Sequence, residues 1–142
     1  MAFVRIWVHA VWATKGRQPL LTGALRGSIY QHILENAAAK DLYIAELNGG
    51  TEHIHCLMCL KPDMSIAKQM QLIKGESSYW INKQGIIPTR FDWADEYFAA
   101  SVSEQELGWI KNYIRNQEQH HRKLSFAEEY DSFLKNAGIV GG

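Results

Sequence analysis

The sequence predicts an α+β fold, a ferredoxin-like or RRM-like antiparallel sheet with helices on one face plus a C-terminal helix that carries a tyrosine. Three observations predict it. The hydrophobic period switches between strand and helix in the order β-α-β-β-α-β, turn residues separate the segments, and two Ser-x-x-Glu signatures open two further helices near the end. This topology hosts many activities and by itself selects none of them.

The first strand is read from Val4, Ile6, Val8, Ala10 and Trp12, which alternate with Arg5, Trp7 and His9. Thr22 is placed to cap a helix in which Leu25, Ile29 and Ile33 recur every fourth residue, ending near Lys40. Residues 42–47 and 51–60 follow as a hairpin around Asn48-Gly49-Gly50, residue types that tolerate the positive φ of tight turns, and Pro62 closes it. A second helix runs from about Ser65 to Lys83 on Ile66, Met70, Ile73, Trp80 and Ile81, and Gly85 and Pro88 end it. A short strand is expected over residues 97–102. Ser103 and Glu106 then cap a helix with a stripe of Leu107, Ile110 and Ile114, and Ser125 and Glu128 cap a last one with Phe126, Phe133 and Leu134, stopped at Gly138.

A chain of 142 residues, 46% hydrophobic, suits one domain over 1–142 with a real core. Its formal charge of zero argues weakly against nucleic acid, whose phosphates are normally met by Lys and Arg. The average hides an asymmetry, since residues 1–91 carry ten Lys/Arg against six Asp/Glu and residues 92–142 carry five against nine. Two cysteines, Cys56 and Cys59, are too few for a disulfide framework, and a strand turns their sulfurs to opposite faces, so they read as small buried apolar groups. With no signal-peptide pattern and no stretch of membrane-spanning length, a soluble cytoplasmic protein with no membrane partner is expected.

Two constellations carry chemistry. His53 and His55 are two apart on a strand, so both imidazoles share one face, close enough to share a divalent ion or simply to be sheet histidines. Tyr113 and Gln117 are i and i+4 at the margin of the Leu107/Ile110/Ile114 stripe, bordering the sheet without being buried, where a tyrosine can equally serve as a packed ring. His120, His121, Arg122 and Lys123 follow a turn later and suit phosphate contacts or the helix C-terminus.

The runs Val11-Trp12-Ala13-Thr14-Lys15-Gly16-Arg17-Gln18-Pro19-Leu20-Leu21 and Glu52-His53-Ile54-His55, with Phe91-Asp92-Trp93 through Ser101-Val102-Ser103, point further when read together. Added to Tyr113-Ile114-Arg115-Asn116-Gln117-Glu118-Gln119-His120-His121 and Ser125 to Tyr130, they resemble the HUH single-tyrosine transposases of the insertion-sequence 200/605 (IS200-like) family over almost the whole chain. The resemblance implies His53, His55 and Gln117 as metal ligands and Tyr113 as a nucleophile that forms a 5′-phosphotyrosine link. It also implies Mg²⁺, with Mn²⁺ as a substitute, single-stranded DNA with hairpin ends, and a homodimer with shared active sites. Phosphates would be met by Lys15, Arg17, Arg115, His120, His121 and Arg122, and unpaired bases by Trp7, Trp12 or Trp80, tryptophans that the core also claims. One departure from the family pattern is Ala94 and Glu96, where a Gln and a Gly are expected, which bears on a local turn. Alternatives are a domesticated single-strand DNA-binding protein and an HUH replication initiator or relaxase-like nuclease. A histidine-triad hydrolase would need a third alternating histidine where Leu57 stands.

Overall fold

In a computed structural model, residues 3–121 and 123–139 are described, without the side chains of His120 and His121. Strand β1 (Trp7–Thr14) leads through a short 3-10 turn at Lys15–Arg17 into helix α1 (Gly23–Ala39), and β2 (Ile44–Gly49) and β3 (His53–Cys59) form the hairpin. Helix α2 (Ile66–Gln84) and strand β4 (Trp93–Val102) complete the β-α-β-β-α-β unit. A second 3-10 turn, Glu104–Glu106, opens α3 (Leu107–Arg115), followed by α4 (Gln117–His121) and α5 (Phe126–Asn136). The sheet order is β2-β3-β1-β4 with every neighbouring pair antiparallel, so the two central strands are β3 and β1.

Both faces of this sheet are covered, and that places the site. Val8, Ala10 and Trp12 of β1 and Ile54, Cys56 and Met58 of β3 pack against Ile29 and Ile33 of α1 and Met70, Ile73 and Ile81 of α2. The alternate residues turn the other way: Trp7 and Leu57 meet Ile110 and Ile114 of α3, while Val11, Ala13 and Phe98 meet Phe126 and Tyr130 of α5. Helices α1 and α2 therefore fill one face, and the C-terminal helices close the second. Every residue of β1 is buried as a result, including Trp7 and His9, which the alternation had set on the polar side. The two sulfurs divide as expected, Cys56 into the first core and Cys59 beside the second.

Helix boundaries follow local chemistry. Ser65 accepts from the Lys68 amide at the start of α2, and Gly85 ends it in the left-handed region at φ 63°. Ser103 with Glu106, and Ser125 with Glu128, form the two capping boxes. The hairpin departs from expectation. Asn48 and Gly49 lie inside β2, and positive φ among the described glycines is confined to Gly16, Gly85 and Gly138. Here glycine serves close approach instead: a Cβ on Gly49 would collide with the His53 carbonyl oxygen, and one on Gly50 would stand 2.9 Å from His53 Cε1. Gly49→Ala is therefore expected to destabilise the fold by about 1–3 kcal/mol, seen as a lowered urea midpoint, with its effect centred on the strand that carries His53. Residues 94–96, where a local turn was expected, run as the start of β4, and Glu96 pairs with Arg17 at 3.9 Å. Among the described residues, no helix is long and apolar enough to cross a membrane.

Candidate active site

The site is a buried polar cluster on the second face of the sheet, between β3 and the C-terminal helices. The strand period aims His53 and His55 together into that layer, and both are fully buried. Each imidazole is oriented by a partner on Nδ1. His53 Nδ1–H donates to Glu52 Oε1 at 2.7 Å, and His55 Nδ1 meets Nε2 of His9, its diagonal neighbour on β1, at 2.9 Å. With Nδ1 engaged in both rings, both Nε2 atoms face one centre.

Gln117 and Glu129 meet them there. His53 Nε2–H donates to Gln117 Oε1 at 3.1 Å, and His55 Nε2–H donates to Glu129 Oε1 at 3.0 Å, which is also 3.4 Å from His53 Nε2. Glu129 Oε2 accepts from Gln117 Nε2 at 3.2 Å and from the hydroxyl of Tyr113. One carboxylate thus links the histidine pair to the tyrosine. The Tyr113 ring packs edge-on to His55 and Phe133 and is stacked with Trp109, with ring centres 5.3 Å apart.

Local folding explains how α3 and its successor deliver these groups. Asn48 of β2 donates its side-chain amide to the carbonyls of Ile114 and Arg115, at 2.9 and 3.2 Å, tying the end of α3 to the hairpin. The helix breaks at Asn116, so Gln117 opens α4 rather than continuing the turn of Tyr113. Gln117 is fully buried, contrary to the expected unburied margin position, because α5 closes over it. Phe126 of α5 stacks on the His53 ring at 4.1 Å between centres, and Phe133 lies edge-on to His9 and His55.

The electrostatics follow from this burial. Burial and the neighbouring His55 pull the His9 imidazole down to about 3, so it is neutral and its Nε2–H donates to His55. Burial also acts to lower His53, but its hydrogen bonds to Glu129, Glu52 and Gln117 outweigh that and raise it, favouring the imidazolium. Burial, reinforced by Glu129, pushes the Tyr113 phenol well above its ordinary range. Left to itself, this tyrosine is a neutral hydroxyl.

His53, His55 and Glu129 offer ligand atoms within 4.8 Å of one another, and Gln117 Oε1 adds an amide oxygen beside His53. Two imidazoles and oxygen donors converging in a buried pocket fit a divalent ion of the Mg²⁺/Mn²⁺ to first-row class. Of the residues expected from sequence, His53, His55, Gln117 and Tyr113 are brought together. The basic residues are elsewhere. Lys15 is exposed in the first 3-10 turn, Arg17 lies over the Phe126 and Tyr130 rings at 5.0 and 5.6 Å, and Arg115 pairs with Glu46 at 2.5 Å. The side chains of His120 and His121, and Arg122, lie outside the described residues. Trp7 and Trp12 are core, and Trp80 is stacked on His32. The exposed aromatic near the site is Trp109, missed from sequence along with Glu129, His9 and Glu52. Glu129 had one readable signal: it shares the apolar stripe of Phe126, Tyr130 and Phe133, where a charge needs a reason.

Comparison with known proteins adds the following. The family model described as IS200-like transposase matches residues 2–117. The transposase for insertion sequence element IS200 of Salmonella typhimurium is 27% identical over 114 residues, covering 77% of this chain and 74% of that protein. The ISDra2 transposase TnpA of Deinococcus radiodurans is 24% identical over 115 residues, covering 77% of this chain and 81% of that protein. Among solved structures, a transposase candidate from Deinococcus radiodurans R1 superimposes with a TM-score of 0.65 at 23% identity, over 82% of this chain and 93% of that one. A REP-associated tyrosine transposase solved with a REP hairpin gives 0.63 at 14% identity, over 85% of this chain and 72% of that one. These two likenesses establish the fold. The family match stops at Gln117, so α5 and Glu129 lie beyond it.

Proposed function

The chain belongs to the IS200-like transposase family, and we propose that it cleaves and rejoins single-stranded DNA through a 5′-phosphotyrosine intermediate on Tyr113. In this reading the chain acts as one domain over 1–142, in a homodimer, on the hairpin-flanked ends of its element. The observation that carries it is the short path from nucleophile to histidine pair: the Tyr113 hydroxyl donates to the Glu129 carboxylate, whose other oxygen is 3.0 Å from His55 Nε2. The relative solved with a REP hairpin supports a folded single-stranded substrate.

His53, His55 and Gln117 would hold the metal, Mg²⁺ in the cell and Mn²⁺ as a substitute. When bound, the ion supplies polarisation of the scissile phosphate and neutralises charge gathered there. The protein does the rest. Glu52 and His9 fix the imidazole orientations, α5 excludes water, and Glu129 Oε2 holds the phenol toward the same centre. Attack by Tyr113 Oη forms the phosphotyrosine bond and breaks the bond from phosphorus to the 3′-oxygen. That oxygen leaves and is protonated to a 3′-hydroxyl as the phenol loses its proton. Rejoining reverses the exchange on a new 3′-hydroxyl, so no nucleotide cofactor is consumed. Trp109 stands at an open cleft of about 690 Å³ lined also by His9, Phe98 and Phe133, an aromatic surface suited to an unpaired base.

The test is incubation of labelled single-stranded DNA from the element ends with the protein, with and without Mg²⁺ or Mn²⁺. A metal-dependent covalent adduct on a denaturing gel is expected. Binding without any adduct in either metal would instead indicate a domesticated binder. His9→Phe should preserve packing beside Phe98 and Phe133 yet remove the hydrogen bond to His55, raising the metal concentration needed for half-maximal cleavage by about 10- to 100-fold.

A further inference from the structure

We propose that Glu129 is a ligand of the metal, completing with its carboxylate the set of His53, His55 and Gln117. The proposal rests on the metal-centre reading above and deepens it. Glu129 comes from α5, beyond the segment matched by the family model.

Three observations support it. Glu129 is 2% exposed on a helix stripe otherwise made of Phe126, Tyr130 and Phe133, a costly place for a carboxylate unless it has cationic partners. Its Oε1 lies 3.0 Å from His55 Nε2 and 3.4 Å from His53 Nε2, the two nitrogens that the Nδ1 contacts leave pointing inward. It is also hydrogen-bonded to Gln117, the other residue of the set, at 3.2 Å. Neutral His53 and His55, each with its proton on Nδ1 toward Glu52 Oε1 and His9 Nε2, would present their Nε2 lone pairs to an ion beside Oε1.

The donor chemistry points the same way. Two imidazoles and one amide form a neutral set with a single hard donor, and one anionic oxygen added to it makes the set better suited to Mg²⁺ and Mn²⁺. The second oxygen, Oε2, holds the Tyr113 hydroxyl, so the same side chain fixes the nucleophile beside the ion.

The test reads metal directly, without DNA or turnover. Full-length protein is titrated with Mn²⁺ while the electron paramagnetic resonance signal of free Mn²⁺ is followed, for wild type, Glu129→Gln, Glu129→Asp and His55→Ala, each checked for folding by circular dichroism and thermal melting. The proposal expects one Mn²⁺ per wild-type chain, a Kd raised at least tenfold in Glu129→Gln with the fold retained, partial recovery in Glu129→Asp, and no binding in His55→Ala. Unchanged affinity in Glu129→Gln with loss in His55→Ala would overturn the ligand role and leave the metal-centre reading intact. Tighter binding in Glu129→Gln would overturn it by making the carboxylate a competitor for the imidazoles. Equal binding in wild type and His55→Ala, or none in wild type, would overturn the metal-centre reading and this proposal with it.

Discussion

Tyr113→Phe is expected to abolish the covalent DNA adduct and lower cleavage by at least about 10⁴-fold, because in the proposed mechanism it removes the atom that attacks phosphorus. The variant should stay folded. The ring keeps its contacts with Trp109, His55 and Phe133, and Glu129 keeps its hydrogen bonds from His55 and Gln117. Losing the hydroxyl donor costs about 1 kcal/mol, the usual net value of one hydrogen bond, so a shift of the thermal midpoint by a few degrees and an unchanged Mn²⁺ affinity are the matching controls. The high proton affinity of this phenol adds a second expectation: wild-type cleavage without metal should be negligible at neutral pH, since burial and the Glu129 carboxylate both oppose the phenolate.

His55→Ala is expected to remove metal binding and metal-dependent cleavage together. His55 is the junction of the cluster, joined to His9 through Nδ1 and to Glu129 through Nε2. Its loss opens a cavity and deprives a buried carboxylate of its closest imidazole partner, which should destabilise the protein by about 3–5 kcal/mol. Metal linkage separates this structural cost from the functional one. At a Mn²⁺ concentration 100 times Kd, wild type should gain about 2.7 kcal/mol of stability, and His55→Ala should gain nothing. A variant that melts lower yet still rises with Mn²⁺ would place the ion away from this histidine.

The order of elements was legible in the sequence because its signals are local. Ser65, Gly85, Ser103 with Glu106, and Ser125 with Glu128 each mark a boundary through their own backbone geometry. The second covered face was not legible, because alternation along β1 says which residues share a side but not what arrives from a distant part of the chain. Trp7 and His9 therefore read as polar-side residues, and the helices that bury them begin about a hundred residues later. The same long-range closure by α5 turned Gln117 from a margin residue into a buried one. Asn48 and Gly49 misled for a different reason, since a turn-forming pair is also what a strand needs where another backbone and an imidazole pass close by.

His53, His55, Tyr113 and Gln117 could be named from spacing and resemblance, as those features are carried by short motifs. Glu129 could not, because its neighbour Glu128 accounts for the capping box and an acid in the first turn of a helix has an ordinary electrostatic explanation. Only its place on the stripe of Phe126, Tyr130 and Phe133 separated it from the solvent-facing acids of α5.

The most direct test of the central claim is to locate the covalent bond. Protein incubated with single-stranded element-end DNA and Mn²⁺ is digested with nuclease and trypsin, and the peptides are read by mass spectrometry. The account predicts a nucleotide-phosphate mass on Tyr113, in the peptide spanning residues 112–115. A nucleotide on another side chain such as Tyr130, or DNA cleaved to free ends with every tyrosine unmodified, would contradict it.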